Sequence, residues 1–388
     1  MFKEEKKEAG FLHSLSNYFT IIVFIISAVA AIYWLSKGDV TTMWNALTTI
    51  LIIACPCALL LSSTFTNGNV LRILSKNKFY LRHPNVIGDM AGINHIVFDK
   101  TGTLTQSKKL EVQYFGTTIS KKNKILLASL LSQSTHPLSK AVFQYLDVQQ
   151  TVPVTHFKNI PGKGVEGCTK NFIEATQNST DEKSGSVVSV KIDHQIIGEF
   201  RISNSYRLGL EEVINSLRDD YTLSVLSGDN DAEATNLKKI LKGDTEMLFN
   251  RSPEEKLEYI KYLREVKNLN VMMIGDGLND AGALKQSNVG LALAEENNNF
   301  TPASDGIFQS SRFGSLHRFL QFAKAGRNII MASFIVSIVY NIIGLYFAVQ
   351  GLLAPVIAAI LMPASSISII LLTYGMSEWK ARSIGLKT

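Results

Sequence analysis

The stretch NHIVFDKTGTLTQ, residues 94–106, sets the fold class of the chain. Its apolar run Ile96–Phe98 ends in Asp99, which is typical of a buried parallel strand that carries a carboxylate to its C-terminal edge. The next residues, Lys100–Thr105, are small, hydroxylated or cationic, and they suit a turn that surrounds a phosphate with backbone amides and hydroxyl groups. The sequence therefore predicts an α/β domain with a parallel sheet and a phosphate site at its edge.

Two further apolar runs end in the same kind of polar sequence. In NVMMIGDGLND, residues 270–280, Asp276 follows the predicted strand, and Asn279 and Asp280 open the next helix. In LSVLSGDN, residues 223–230, the strand is followed by three small or acidic residues, namely Ser227, Gly228 and Asp229. We expect the ends of these strands to meet at one edge of the sheet.

Carboxylates at neighbouring strand ends repel each other unless a cation lies between them. Magnesium fits Asp99 and Asp276 best, because it binds a few carboxylate, phosphate and water oxygens. Lys256, in RSPEEK (251–256), is expected to neutralise a phosphoryl oxygen. Each motif alone is an ordinary turn, loop or solvated lysine. Their occurrence together, in order and each after an apolar strand, favours a phosphoryl-transfer site.

Four apolar stretches are long enough to cross a bilayer, which takes about 20 residues: 18–35, 44–65, 329–349 and 352–374. Basic residues lie before the first stretch, after the second and after the fourth: Lys3, Lys6, Lys7, Arg72, Lys76, Lys78, Arg82, Lys380, Arg382 and Lys387. The positive-inside rule then makes both termini and the large loop cytoplasmic in an integral protein of the plasma (inner) membrane. The net charge of +6 is mostly juxtamembrane, so nucleic acid is not needed as a partner.

The strings DKTGTLT, SGD and GDGLND resemble the phosphorylation, hinge and magnesium motifs of the P-type ATPases. The triplet CPC, residues 55–57, lies in the second apolar stretch and narrows the resemblance to the heavy-metal-transporting branch. This resemblance covers nearly the whole chain. It implies a haloacid-dehalogenase-like phosphorylation domain with an inserted α+β nucleotide-binding domain and four transmembrane helices. The expected order is membrane helices at 1–75, phosphorylation domain at 76–106, nucleotide domain at 107–220, phosphorylation domain at 221–326 and membrane helices at 327–388.

The resemblance also implies roles for the motif residues. Asp99 would take the γ-phosphoryl group of ATP, Thr101 and Lys256 would hold that group, and Asp99, Thr101 and Asp276 would bind Mg²⁺. The remaining motif residues would complete the catalytic and nucleotide sites: Lys100, Asp229, Asn279 and Asp280 for the former, Ser227 and Gly228 for the latter. Related phosphatases resemble one another in having a second aspartate where this chain has Thr101. A hydroxyl is a poor general acid near neutral pH, which favours a long-lived aspartyl phosphate and a pump.

The region expected to bind nucleotide contains STHPLSKAV and IPGKGVEG, which are similar to the adenine-binding pair of the branch. By that similarity His136 and Pro137 would lie near the ring, and Gly162 and Gly164 would let the nucleotide approach the backbone. Thr135 stands where the family usually has glutamate, which removes an expected contact to adenine. Ser227 replaces the hinge threonine but keeps the hydroxyl.

Pro56 removes a helix hydrogen bond at membrane depth, so Cys55 and Cys57 can both turn toward one point. Thiolates select soft ions, which leaves Cu(I), Zn(II) and Cd(II). The last two apolar stretches contain no Asp, Glu, Lys or His, and a monovalent ion needs no further carboxylate. They contain instead polar and thioether side chains that resemble those of copper-transporting members: Tyr340, Asn341, Met362, Ser365 and Ser366. We therefore expect Cu(I), with Zn(II) or Cd(II) as the alternative.

Complete pumps of this branch resemble one another in having further membrane spans and an actuator domain with Thr-Gly-Glu, which this sequence does not contain. The chain is thus expected to be the C-terminal part of a pump that phosphorylates but does not cycle alone, completed by a polypeptide that carries the actuator. Two alternatives stay open. One is a non-transporting remnant that binds metal or nucleotide, and the other is a membrane-anchored phosphatase, which Thr101 disfavours.

Overall fold

The computed structural model describes residues 5–54, 57–160, 163–169, 171–178, 186–243, 245–277, 279–295 and 303–388. Side chains are described for these residues except 5–20, 57–60, 107–109, 177–178 and 232. The chain divides into two compact units, one made of Met1–Gly92 with Arg318–Thr388 and the other of Ile93–His317. The first unit contains the apolar stretches, and the second contains the predicted phosphate site.

The first unit is mainly helical. Its elements are α1 (Glu5–Ser36), α2 (Val40–Ile53), α3 (Cys57–Lys76), β1 (Phe79–Leu81), α4 (Val86–Gly92), most of α11 (Leu316–Val349) and α12 (Pro355–Ser383). Small and aliphatic side chains pack α1, α2, α11 and α12 together, namely Val23, Ala30, Ile50, Ile53, Ala348 and Ala358. An ion pair between Arg72 and Glu378 joins α3 to α12.

Two helices of the described chain are long and apolar enough to span a membrane. One is α11, which continues a short helix to give Ser310–Val349, and the other is α12. These two helices overlap the last two predicted apolar stretches, 329–349 and 352–374. The described apolar parts of the first two are shorter, at Ile21–Ser36 and Val40–Ile53. Helix α2 ends at Ile53 and α3 begins at Cys57, whereas Cys55 and Pro56 lie outside the described residues.

The second unit contains a parallel sheet built from the predicted apolar runs. Its strands are β2 (His95–Asp99), β9 (Thr222–Leu226), β10 (Glu246–Leu248), β11 (Val271–Gly275), β12 (Val289–Ala294) and β13 (Gly306–Gln309). They lie in the order β13, β12, β11, β2, β9, β10. The register pairs Asp99 with Leu226 and Phe98 with Ile274, so β2, β9 and β11 end at the same edge. This confirms the predicted parallel sheet, with the three motif-bearing strands side by side.

Helices cover this sheet, and its central strands β2 and β11 are buried along their whole length. They are α7 (Leu210–Arg218), α8 (Ala234–Leu241), α9 (Pro253–Glu265) and α10 (Ala281–Gln286). Helix α9 begins with a capping box, in which Ser252 and Glu255 bond each other's backbone amides and Pro253 takes the first helical position. Its apolar side packs Ile260 and Leu263 against the sheet. This anchored start places Lys256 near the edge where the strands end.

A second, antiparallel sheet is inserted between β2 and β9. Its strands lie in the order β3, β8, β7, β6, β5, β4. Their bounds are β3 (Thr105–Gly116), β4 (Thr155–Ile160), β5 (Gly164–Cys168), β6 (Phe172–Asn178), β7 (Ser186–Ile192) and β8 (Gln195–Tyr206). Helices α5 (Lys121–Ser132) and α6 (Pro137–Leu146) cover it. We call this sheet with α5 and α6 the inserted layer. Helix α7 contacts α8, which connects β9 to β10 of the parallel sheet, so the inserted layer ends near Tyr206, before the expected boundary at residue 220.

Candidate functional site

A buried cluster of charges lies at the carboxyl edge of the parallel sheet. The Nζ atom of Lys256 is 2.6 Å from Oδ1 of Asp99 and 2.7 Å from Oδ1 of Asp280. All three residues are buried, with Asp280 only 1% exposed. Lys256 comes from the first turn of α9 and Asp280 from the start of α10, so two helices converge on the nucleophile candidate at the end of β2.

This cluster contains more carboxylates than cations, and the pKa values of its buried carboxyl groups are raised. Burial and the nearby Asp280 raise the pKa of Asp99 to about 7, although Lys256 acts in the opposite direction. Asp276 raises the pKa of Asp99 further, so its charge is within electrostatic reach. Burial also raises the pKa of Asp280. Burial alone would lower the pKa of Lys256, but Asp99 and Asp280 outweigh it and raise the pKa.

Gly275 makes room for this arrangement. A Cβ atom at this position would come within 2.8 Å of Oδ2 of Asp280, closer than real Cβ atoms approach other atoms. The glycine before the GDG aspartate is thus required for the close approach of Asp280 to the end of β11.

The phosphorylation loop, Lys100–Leu104, is a tight turn after β2. Gly102 adopts φ 75°, which favours glycine. Its amide donates to Oγ1 of Thr105 at 3.2 Å, and that hydroxyl donates to the carbonyl of Lys100 at 3.3 Å. From outside the loop, Arg207 donates to the carbonyls of Thr103 at 2.6 Å and Gly102 at 2.7 Å. These bonds fix the backbone next to Asp99.

Lys100 and Thr101 are both held by Asp229. The Nζ atom of Lys100 and Oγ1 of Thr101 each lie 2.8 Å from Oδ2 of Asp229. Burial would raise the pKa of Asp229, but the hydrogen bonds from Lys100 and Thr101 lower it. The Lys100 side chain is 2% exposed, so in this arrangement it pairs with protein carboxylates instead of facing open solvent. The structure therefore brings Asp229 to the loop through Lys100 and Thr101.

The cluster can accommodate a hard cation. Oδ2 of Asp280 is buried and has no hydrogen-bond partner among the described residues. Asp99, Asp276 and Asp280 together carry more negative charge than Lys256 balances. No group of three or more His, Cys, Asp or Glu side chains in the described chain forms a ready metal cage. The unpaired Oδ2 of Asp280 beside Asp99 suits magnesium, which uses one or two carboxylates and completes its shell with phosphate and water.

The remaining predicted residues of the sheet edge occupy different positions. Ser227 is buried after β9, and its hydroxyl accepts from the amide of Asp229 at 3.0 Å. Gly228 lies beside the carbonyl of Arg251. Asn279 is exposed, in contrast to its neighbour Asp280.

The predicted nucleotide residues lie on the inserted layer. His136 is exposed, and its Nδ1 accepts from the amide of Leu138 at 3.3 Å, with Pro137 in the first turn of α6. Gly164 has φ +136°, and a Cβ there would lie 2.1 Å from the carbonyl oxygen of Ala175. Gly164 is thus required by the sheet itself. Gly162 lies outside the described residues.

The first unit contains a cavity of about 30 Å³, which is large enough for a single ion or water molecule. Its polar lining comes from α11 and α12: Tyr340, Asn341, Met362, Ser365 and Ser366. None of the described residues that line it is charged. The structure therefore brings these predicted residues together. The predicted partner Cys55 lies outside the described residues, as does the side chain of Cys57.

Sequence reasoning missed two residues of the site. Arg207 binds the loop carbonyls and forms an ion pair with Glu295 at 2.7 Å. Glu233 is buried and lies 3.5 Å from Nζ of Lys100. Arg207 follows a strand in a sequence of ordinary linker composition, so only its distance to the loop reveals it. Glu233 comes four residues after Asp229, and this spacing after a recognised motif was an available signal.

Comparisons with known proteins agree with this geometry. The family model of haloacid dehalogenase-like hydrolases matches residues 93–288. The chain is 28% identical over 382 residues to the probable copper-importing P-type ATPase A of Enterococcus hirae, covering 92% of this chain and 52% of that protein. It is 27% identical over 381 residues to a copper-exporting P-type ATPase of Staphylococcus haemolyticus, covering 92% of this chain and 47% of that protein. These relatives confirm the expected resemblance.

A solved structure, of a zinc-transporting PIB-type ATPase in its E2.Pi state, matches with a TM-score of 0.80 at 20% identity. The match covers 92% of this chain and 62% of that chain, and at this identity it shows the fold alone. The chain spans about half the length of the curated relatives it matches, 52% and 47%.

Proposed function

We propose that this chain, which belongs to the haloacid dehalogenase-like hydrolase family, is the catalytic and ion-binding part of an ATP-driven heavy-metal pump. The observation that carries the proposal is the contact of Lys256 with both Asp99 and Asp280 at the sheet edge. Such a buried lysine can neutralise a phosphoryl group at the nucleophile. The similarity to copper P-type ATPases over 92% of the chain supports the same reading.

In the proposed reaction, a carboxylate oxygen of Asp99 bonds to the γ-phosphorus of ATP. The bond between that phosphorus and the bridging oxygen breaks, and ADP leaves with the electron pair. Lys256 stabilises the negative charge on the transferred oxygens, since it is already aimed at Asp99. The Thr101 hydroxyl, which donates to Asp229 in this structure, would turn to donate to a phosphoryl oxygen at the loop when ATP is bound. The chain thus contributes a nucleophile and fixed positive charge.

Asp99, Asp276 and the Thr101 backbone would hold magnesium, which when bound draws negative charge away from the phosphoryl oxygens and favours the ionised form of Asp99. The exposed face of α6, with His136 and Pro137, and the turn at Gly162 and Gly164 are proposed to bind the adenine end of ATP. The region from β3 to β8 would then serve as the nucleotide domain.

We propose Cu(I) as the cargo. The cavity beside α11 and α12 offers a thioether from Met362 and neutral oxygens, with no carboxylate in its lining. A monovalent soft ion bound by the thiolates of Cys55 and Cys57 needs no further negative charge, whereas Zn(II) would. The large loop and both termini are placed in the cytoplasm on the positive-inside rule.

Hydrolysis of the aspartyl phosphate requires a group that positions water. Thr101 cannot act as that base or acid near neutral pH. We propose that an actuator segment supplies it, whether on a longer form of this chain or on a second polypeptide. The 388-residue chain should then accumulate phosphoenzyme and release phosphate slowly.

The test is phosphoenzyme formation by the purified chain in detergent with radiolabelled ATP and magnesium. We expect acid-stable, hydroxylamine-sensitive label that disappears in Asp99→Asn and remains in the control Asp219→Asn, which changes an exposed carboxylate on the same unit. Removal of magnesium with a chelator should abolish labelling. Rapid copper-dependent phosphate release that depends on Asp99 would contradict the slow-release expectation, and absence of any label would contradict the proposed activity.

A further inference from the structure

The two linkers of the inserted layer meet beside the phosphorylation loop. Strand β3 leaves the loop at Thr105, and β8 returns to it at Tyr206, and these two residues pair in the sheet. The amide of Arg207 then donates to the carbonyl of Leu104 at 2.9 Å. The position of the inserted layer relative to Asp99 is therefore set by whatever holds the last residues of β8.

Glu233 holds the end of β8 with both of its carboxylate oxygens. Oε1 accepts from the backbone amide of Asn204 at 3.0 Å, and Oε2 accepts from Nδ2 of the same residue at 3.1 Å. Oε2 also lies 3.5 Å from Nζ of Lys100. Glu233 itself comes from the short helix Asp231–Glu233 that follows the Asp229 motif.

This contact is unlike a surface hydrogen bond. Glu233 is 6% exposed, and a buried carboxylate is costly unless its oxygens are paired. Here the two Asn204 donors and the Lys100 ammonium provide those partners. The two bonds to Asn204 are shorter than the contact to Lys100, so the carboxylate is held mainly by the return strand. Lys100 contacts both this carboxylate and that of Asp229. Asp229 also accepts a hydrogen bond from the hydroxyl of Thr101.

We propose that Glu233 is a positioning residue that holds the return strand of the inserted layer against the phosphorylation loop, so that ATP bound on that layer reaches Asp99. This inference rests on the proposed phosphoryl transfer from ATP. It predicts that Glu233 matters for a donor that binds the inserted layer. It matters much less for a small donor that reaches Asp99 directly.

The experiment compares two phosphoryl donors, ATP and acetyl phosphate, on the full chain. Glu233→Gln is isosteric but removes the negative charge, so the bonds from Asn204 are no longer charge-assisted and become weaker. We expect the ATP concentration for half-maximal labelling of Asp99 to rise about tenfold, with labelling by acetyl phosphate changed less than about twofold. Asn204→Ala should behave in the same way. Asp231→Asn, an exposed carboxylate on the same short helix, is the matched control and should leave both donors unchanged.

A rescue separates positioning from general stability. Asn204→Asp alone places two carboxylates against each other and should weaken ATP-dependent labelling. In the double variant with Glu233→Gln, the glutamine amide donates to the new aspartate at position 204. ATP-dependent labelling should then recover most of its loss. A variant that acetyl phosphate still labels is folded, which makes the ATP result interpretable.

Equal loss with both donors in Glu233→Gln would overturn the proposal, because Glu233 would then act on Asp99 through Lys100. Unchanged use of both donors would overturn it as well. If the wild-type chain is labelled by acetyl phosphate but not by ATP, the proposed ATPase function fails and this inference fails with it.

Discussion

The cluster around Asp99 and the cavity beside Met362 are built from opposite kinds of side chain. The cluster contains carboxylates and the ammonium of Lys256 in direct contact. The described lining of the cavity combines hydroxyl, amide and thioether groups with apolar residues such as Ile53 and Leu361, and none of these lining residues is charged. Fixed charge suits a reaction in which negative charge moves between oxygens, because preorganised partners stabilise it. A neutral lining suits a monovalent cargo whose charge thiolates already balance. The difference predicts two separate binding chemistries on one chain, which mutations should distinguish.

The largest expected effect is on the membrane side. The double variant Cys55→Ser, Cys57→Ser should abolish Cu(I) binding by the purified chain, because hydroxyls are poor ligands for a soft ion. A competition titration with a chromophoric Cu(I) chelator measures this. Cys168→Ser, which changes the cysteine of the inserted layer, is the matched control and should bind normally. Tight Zn(II) binding without Cu(I) binding in the wild type would reverse the proposed cargo.

The next largest effect is expected in the charged cluster around Asp99. Lys256→Gln removes the cation that contacts Asp99 and Asp280, and the rate of labelling by ATP should fall about 10²- to 10³-fold. Cu(I) binding should stay unchanged, since none of the described residues that line the cavity belongs to this cluster. Lys261→Gln, on an exposed position of the same helix, serves as the control in rapid-quench measurements. A loss below threefold in Lys256→Gln would show that this lysine is structural.

A smaller effect is expected from Met362→Leu, which keeps the volume of the side chain but removes the thioether. Cu(I) affinity should fall about tenfold, the low end of the loss for residues that support a metal site. Labelling of Asp99 by ATP at saturating Cu(I) should be retained. Equal Cu(I) affinity in wild type and variant would remove Met362 from the proposed site and leave it as a packing residue.

The smallest effect needs no mutation and concerns protonation of Asp99. Burial and Asp280 raise its pKa to about 7, so its carboxylate form is lost as pH falls through that value. In magnesium-free buffer the ionised fraction should fall from about nine tenths at pH 8 to about one tenth at pH 6. An infrared difference spectrum against Asp99→Asn would show the protonated carboxyl band growing. Added magnesium should move the midpoint to lower pH, because a cation favours the carboxylate; an unmoved midpoint would place magnesium elsewhere.

The sequence by itself determined where the strands of the parallel sheet lie along the chain and which of them end in motif residues. The apolar runs that end in Asp99, Ser227 and Gly275 became β2, β9 and β11, because a buried parallel strand needs a continuous run of apolar residues. The last two apolar helices followed from length and hydropathy, because about 20 consecutive apolar residues are needed to cross a bilayer. These features depend on neighbours in the chain, and composition reveals them.

Only the tertiary structure decided which charges meet. Lys256 is 157 residues from Asp99 along the chain, and its contact depends on how α9 packs on the sheet. Arg207 joins the loop Lys100–Leu104 from a linker whose sequence does not differ from that of a solvated loop, and Glu233 joins it from the short helix Asp231–Glu233. The pairing of Lys100 with Asp229 likewise appears only once β2 and β9 are neighbours. Electrostatic partners act through space, so residue order along the chain carries little information about them.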